Sequence, residues 1–255
     1  MDLQLERRVV VVTGSSQGIG RAAALSFARE GARVAVTYKD HRDKAQAVVD
    51  IIERAGGEAI ALELDLGSAE SIHTAVAAVV ARWGGIDVLV NNAVQWGTRL
   101  PWNMPPFEEL PGDEWRALFR ANAEGAYTAI QAVLPTMRAR GWGRIVNVSS
   151  AIAVDGMAGA GPYAAAKAAM HGLTKTLSKE LGPAGILVNV VMPGFTLTER
   201  NAARIPAEHR AHMERTSPIR RILTPEEVVP TIVFLCSGVN VAVTGEIIRA
   251  SGGIT

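Results

Sequence analysis

The strongest constraint on the fold is a recurrence along the chain: a short aliphatic run, then a longer stretch with helical spacing, several times over. Runs such as VVVV at 9–12 and ILVNVVM at 186–192 are apolar on both faces. A strand of that kind must be covered from two sides, and strands that alternate with helices are joined by crossovers that make the sheet parallel. The pattern predicts strand 8–13 with helix 18–30, strand 33–38 with helix 41–55, and strand 58–64 with helix 68–82. Strand 86–90 leads into a loop over 95–112 that is rich in Pro and Trp. A long helix over 113–140 with Asp113 as N-cap follows, then strand 144–149, helix 161–181 and strand 187–192. Helix 224–235 carries Thr224 as cap, Pro225 at its first position and acids in its first turn, and strand 246–250 ends the pattern. Right-handed crossovers turn this order into an α/β doubly wound parallel sheet of about seven strands with helices on both faces. Ligands of such sheets bind at the carboxyl ends of the strands, which points to the loops after Thr13, Tyr38, Leu64, Val90, Val148 and Met192.

Composition narrows the functional classes. A chain of 255 residues without repeats or low-complexity linkers reads as one domain over 1–255. Lysine and arginine number 26 against 25 acids, so binding to nucleic acid through phosphate attraction is not expected. The single cysteine, Cys236, excludes an internal disulfide framework and is expected to face the core as an inert thiol. The uncharged run 181–198 has the length of a membrane helix, but Pro183, Pro193, three glycines and Asn189 interrupt it, so it reads as core. Residues 1–8 are charged and lack the apolar stretch of a signal peptide, from which a cytoplasmic protein is expected.

The loop after the first strand reads Thr13-Gly14-Ser15-Ser16-Gln17-Gly18-Ile19-Gly20 and opens directly into a helix. Gly14 suits the tight turn, Gly18 a close backbone approach to a pyrophosphate, and Gly20 close helix–strand packing, with free amides facing the phosphates. A Rossmann-type dinucleotide site is therefore expected, since the strand–turn–helix context is met. An acid holding the ribose 2′-hydroxyl would fall near Tyr38, which is not acidic, and Lys39 follows it. An ammonium there suits a 2′-phosphate, so NADP(H) is expected in preference to NAD(H), although Asp40 is adjacent and Lys39 could equally be a solvated loop residue.

Tyr163 and Lys167 are four apart on a predicted helix and share one face. A free tyrosine titrates near about 10, and a neighbouring ammonium favours the phenolate, which would lower that value and make the hydroxyl a usable proton donor to a carbonyl. The same pair could be purely structural. Ser150, at the end of a core strand, offers a hydroxyl for the same carbonyl oxygen, and Ser149 is adjacent.

The segment Thr13–Gly20, Asp65, Asn91-Asn92-Ala93, Asn122, Ser150, Tyr163-x-x-x-Lys167 and Pro193-Gly194 occur in one order and at characteristic spacings. On these residues the chain resembles the short-chain dehydrogenase/reductase family over essentially its whole length, most of all 3-oxoacyl-carrier-protein reductases and related ketoreductases. The resemblance implies a catalytic set of Asn122, Ser150, Tyr163 and Lys167, with Ser150 favoured over Ser149 and Asn122 holding a water that links Lys167 to solvent. Without it, Asn122 reads as a helix-kinking or buried polar residue. It further implies cofactor contacts from Gly14, Ser16, Gln17, Gly18, Ile19 and Gly20, and from Asp65 with Leu66 beside the adenine. Asn92 and Ala93 would run along a ribose, Tyr163 and Lys167 would reach the nicotinamide side, and Pro193, Gly194, Thr196 and Thr198 would receive the carboxamide. Taken alone, Asp65 is as good a cap for the helix from Ser68. The chain departs from the family at Val94, where glycine is usual, and a side chain there crowds the nicotinamide side or shapes the substrate pocket.

Trp96, Trp102, Met104 and Phe107 could wall an apolar pocket, or could pack their loop onto the sheet. Residues 196–221 coincide with the family's mobile lid and hold six arginines against three glutamates, with His209 and His212. That charge fits a solvated helix face or a handle for an anionic or carrier-linked substrate. Two histidines without a third ligand do not make a metal site, and none is expected. The expected activity is an NADPH-dependent carbonyl reductase acting on a small carbonyl compound, carrier-protein- or CoA-linked ones included. The alternatives are an NAD-dependent alcohol dehydrogenase working oxidatively and a non-catalytic dinucleotide-binding regulator. The resemblance also implies a homotetramer or homodimer pairing the helices at 161–181 and 113–140, and no nucleic-acid or membrane partner.

Overall fold

In a computed structural model that describes residues 2–96, 105–202 and 204–253, seven strands form one sheet of order β3-β2-β1-β4-β5-β6-β7. They are β1 (Val9–Val12), β2 (Arg33–Tyr38), β3 (Glu58–Glu63), β4 (Val88–Asn91), β5 (Gly143–Val148), β6 (Ile186–Pro193) and β7 (Ile247–Ala250). Every neighbouring pair is parallel, as the doubly apolar runs require.

The alternation within β1 assigns its two faces. Val10 and Val12 join one apolar cluster with α1 (Gly18–Arg29), α2 (Arg42–Arg54) and α10 (Pro225–Cys236). Val9 and Val11 join the other, against α3 (Ala69–Trp83), α5 (Gly125–Arg140) and α7 (Gly161–Leu181). Cys236 lies wholly inside the first cluster. The order runs outward in both directions from β1 and β4, so the loops after these two strands open onto one crevice.

Most boundaries fall within a residue or two of expectation, and the caps explain why. Ser68 accepts a 3.2 Å bond from the Ser71 amide and starts α3, while Gly84, at φ 78°, ends it. The Thr224 amide donates to Glu227 Oε2 at 2.9 Å and fixes the start of α10.

The predicted helix over 113–140 needs two corrections. It begins one residue earlier, as α4 (Gly112–Phe119), because Pro111 ends the preceding extended segment. Asp113 is therefore a first-turn residue rather than the N-cap, and it pairs with Arg116 at 3.0 Å. The helix is also not continuous: Arg120–Glu124 forms a π-turn between α4 and α5. The short helices α6 (Ile152–Asp155), α8 (Glu199–Ala202) and α9 (Ala207–Thr216) occupy the connections after β5 and β6. No helix among the described residues is long and apolar enough to cross a membrane.

Candidate active site

The glycine loop is held by β4 and β2. Thr13 Oγ1 accepts from the amides of Asn92 and Ala93, each at 2.9 Å, and Asn92 Nδ2 donates to the Thr13 and Gly14 carbonyls at 3.0 and 3.2 Å. The Gly14 amide donates to Thr37 Oγ1 at 3.0 Å, and Ser15 Oγ bridges the Val12 carbonyl and the Thr37 amide. Gly14 and Gly18 adopt φ of 62° and 57°, a region side chains avoid. A Cβ on Gly20 would lie 2.4 Å from the Gly14 carbonyl oxygen, so α1 could not approach the loop with any larger residue there. Ser16, Gln17 and Ile19 fill the turn, with Gln17 taking a 3.3 Å bond from Lys44.

This loop already accepts an anion. The Gly18 amide donates to Glu199 Oε2 at 3.3 Å, and Arg21 lies 3.9 Å from the same carboxylate. A carboxylate at the head of α1 is the charge type that a dinucleotide phosphate would present, so the residues present fit such a group. Sequence reading assigned Glu199 no role, because nothing local links positions 18 and 199.

At the far end of β2, Lys39 Nζ pairs with Asp65 Oδ2 at 2.9 Å. Burial works against the Asp65 charge, but the Gly67 amide and Lys39 hold its carboxyl below the usual range. Asp65 thus bonds within its own turn, and the cap of α3 is Ser68. The Leu66 carbonyl oxygen would stand 2.3 Å from a Cβ on Gly125, which brings this turn against α5. At the end of β6, the Pro193 carbonyl accepts from the Ala151 amide at 2.9 Å, and Gly194 abuts Ser251. Thr196 Oγ1 donates to the Gly194 carbonyl at 3.1 Å, and a Cβ on Gly18 would lie 3.3 Å from the Thr198 methyl.

The predicted catalytic residues also converge. Tyr163 and Lys167 lie one turn apart on α7 and are buried, and the Ser150 side chain is near enough to Tyr163 to work against the rise of its pKa. Lys167 Nζ donates to the Val148 carbonyl at 2.9 Å and lies 5.9 Å from the centre of the Tyr163 ring. The expectation that Lys167 lowers the tyrosine pKa is not met here: burial pushes the Tyr163 hydroxyl up to about 12, against the opposing effect of Ser150. Burial also brings the Lys167 ammonium down to about 8. Desolvation dominates both shifts.

Ser149 points elsewhere. Its Oγ lies 3.2 Å from the Lys167 carbonyl and 2.7 Å from His171 Nε2, so it fastens β5 to α7. His171 escaped the sequence reading, although it sits four residues beyond Lys167 on the same helix face.

Asn122 is buried within the π-turn with its side chain fully engaged. It accepts from the Gln95 amide at 3.0 Å and donates to the Gln95 and Leu118 carbonyls at 2.7 and 2.9 Å. Its reading as a helix-distorting polar residue is met. Next to that clamp, Trp96 stacks on Tyr163 with ring centroids 3.9 Å apart and planes 21° apart. Val94 stands exposed beside it, and Phe107 is largely solvent-facing, while Trp102 and Met104 lie outside the described residues.

Residues 14–255 match a family model described as "Enoyl-(Acyl carrier protein) reductase". The chain is 36% identical over 255 residues, all of both proteins, to a 3-oxoacyl-[acyl-carrier-protein] reductase of Aquifex aeolicus. Its counterpart in Staphylococcus epidermidis is 35% identical over 244 residues, 96% of this chain and 97% of that protein. Among solved structures, a 7α-hydroxysteroid dehydrogenase complexed with NADH and 7-oxoglycochenodeoxycholic acid aligns at TM-score 0.92 and 32% identity, over 99% of this chain and 96% of that one. A dehydrogenase/reductase from Sinorhizobium meliloti 1021 aligns at TM-score 0.89 and 35% identity, over 99% of this chain and 96% of that one. Full-length identity of this order, on a seven-stranded parallel sheet with helices on both faces, makes the chain a member of the short-chain dehydrogenase/reductase family of oxidoreductases, which act on CH–OH and C=O groups.

Proposed function

We propose that the protein is an NADPH-dependent carbonyl reductase, with Tyr163 as proton donor, Ser150 orienting the substrate carbonyl and Lys167 supplying compensating positive charge. The observation that carries this reading is the convergence of the buried Tyr163 and Lys167 side chains on one face of α7, with Ser150 beside the tyrosine. A bound nicotinamide dinucleotide supplies the hydride. The two hydroxyls converge on one carbonyl oxygen, and negative charge grows there as the carbon is reduced. Tyr163 then gives its proton to that oxygen. A hydroxyl raised to about 12 is fully protonated at neutral pH, and the forming alkoxide is more basic still, so the transfer runs downhill. Lys167 faces the phenolate left behind. Asn122 acts by holding the backbone at Gln95 against the site.

The cofactor cradle on this reading is the loop from Gly14 to Gly20, with Asn92 and Ala93 along a ribose and Pro193, Gly194, Thr196 and Thr198 at the nicotinamide end. Lys39 would turn from Asp65 toward a 2′-phosphate, with Asp65 and Leu66 beside the adenine. The full-length likeness to 3-oxoacyl-carrier-protein reductases supports 3-oxoacyl thioesters among the substrates. A homotetramer or homodimer pairing the helices over 161–181 and 113–140 belongs to the same proposal. Likeness to a hydroxysteroid dehydrogenase complexed with NADH supports the second reading, oxidation of an alcohol with NAD.

Steady-state rates with NADPH and NADH against β-keto thioesters, quinones, ketosteroids and sugar ketones separate these. Saturation by NADPH, with Lys39→Ala narrowing the ratio of NADPH to NADH affinity, is the expected result. The lost phosphate contact corresponds to about 1.5–3 kcal/mol, less if Lys39 stays solvated. Equal affinity for both cofactors, or a ratio indifferent to Lys39, overturns the NADP(H) assignment.

A further inference from the structure

We propose that Trp96 is a specificity-determining residue that selects carbonyl compounds bearing a flat apolar group next to the carbonyl; this rests on the reductase reading above. The indole covers the face of the Tyr163 ring at a centroid distance of 3.9 Å and an interplanar angle of 21°. Its position is set by the backbone. Gln95, the preceding residue, is gripped at both its amide and its carbonyl by the buried Asn122 side chain. Asn122 in turn is anchored to Leu118 across the π-turn.

Tyr163 is almost wholly buried, whereas Trp96 is half-buried. A carbonyl oxygen that reaches the Tyr163 and Ser150 hydroxyls must therefore bring the rest of its molecule alongside the indole, not the phenol. A planar ring joined to the carbonyl gains an offset stacking contact and sheds water there. A flexible linear chain gains little, because it meets the indole along a narrow strip. Of the candidate pocket residues that the structure describes, Trp96 and Phe107, the tryptophan is the one stacked on Tyr163.

The test compares acetophenone with acetoacetyl-coenzyme A as substrates of the wild type, Trp96→Ala and Trp96→Phe. Trp96→Ala is expected to lower kcat/KM for acetophenone relative to the thioester by about tenfold, with Trp96→Phe retaining most of the preference. A ratio that moves less than twofold in Trp96→Ala, or moves toward acetophenone, overturns the proposal. Calorimetric binding of acetophenone to the same three proteins gives a readout that needs no turnover. Should the wild type reduce neither compound, nor any of the wider carbonyl panel above, with either cofactor, the reductase reading fails. The selectivity of Trp96 for a flat apolar ligand then stands if Trp96→Ala weakens acetophenone binding and falls if it does not.

Discussion

Burial moves Lys167 and Tyr163 in opposite directions, and each shift has its own pH window. Lys167 drops from 10.5 to about 8, so the folded state releases its proton more readily than the unfolded chain does. Its contribution to stability is complete above about 10.5 and is lost as pH falls through about 8. Lys167→Met should therefore raise stability at neutral pH, by up to about 3 kcal/mol, with the gain over wild type vanishing between pH 8 and 10.5 in urea titrations. Tyr163 behaves conversely: its raised value stabilises the fold below pH 10, and that contribution is lost as pH rises through about 12. For activity, Tyr163→Phe keeps the ring under Trp96 and removes the transferable proton. Turnover should fall by about 10²–10⁴-fold while calorimetric NADPH affinity and the melting transition hold. Ser150→Ala should cost more turnover than Ser149→Ala, because Ser150 acts on the Tyr163 hydroxyl whereas Ser149 is engaged with the Lys167 carbonyl and His171.

The π-turn at Arg120–Glu124 is the clearest case of an element shaped from outside itself. Its own sequence, RANAE, is ordinary helix-forming material, and the spacing across 113–140 predicts an unbroken helix. The extra residue is accommodated as Asn122 bonds to Gln95 on another segment; the asparagine marks a distortion in the sequence, but its partner is not a local property. Directly after it, Gly125 packs against the Leu66 carbonyl so closely that an added Cβ would lie 2.3 Å from that oxygen. Gly125→Ala should destabilise the fold by about 1–3 kcal/mol, since backbone must move. At Gly172 in α7 nothing of the chain lies within 4 Å of an added Cβ, and Gly172→Ala should instead gain about 0.5–1 kcal/mol. Denaturant midpoints of the two variants check the contrast.

Two features act across the molecule. The buried Arg144 guanidinium donates to the carbonyls of Gly143, Gly185, Ser237 and Asn240, joining the entries of β5 and β6 to the end of α10. It lies 4.4 Å from the Trp142 ring, and Arg8 lies 3.9 Å from the same ring. Arg144→Met would strand several buried acceptors and should cost at least about 3 kcal/mol in urea unfolding. Arg144→Lys should recover only part, lacking the planar fork. At the carboxyl ends of the strands, the segment over 196–221 touches the glycine loop through Glu199. Amide exchange in this segment should be the fastest of any helical region and should slow when NADPH is added. Strong protection that is equal with and without NADPH would remove its role as a lid.

The chain's own pattern determined the parallel sheet, the two helical layers and the loop that opens α1, because these follow from periodicity and from glycines with positive φ. It also put Tyr163 and Lys167 on one helix face, since a four-residue spacing is a local property. What only the tertiary structure decided are relations between residues distant in sequence: Glu199 on the Gly18 amide, Asn122 on Gln95, Trp96 on Tyr163 and His171 on Ser149. The balance of charges belongs to the same class. The Tyr163–Lys167 spacing suggested a lowered tyrosine pKa, but the depth of burial, fixed by packing from every side, sets the hydroxyl near 12 instead.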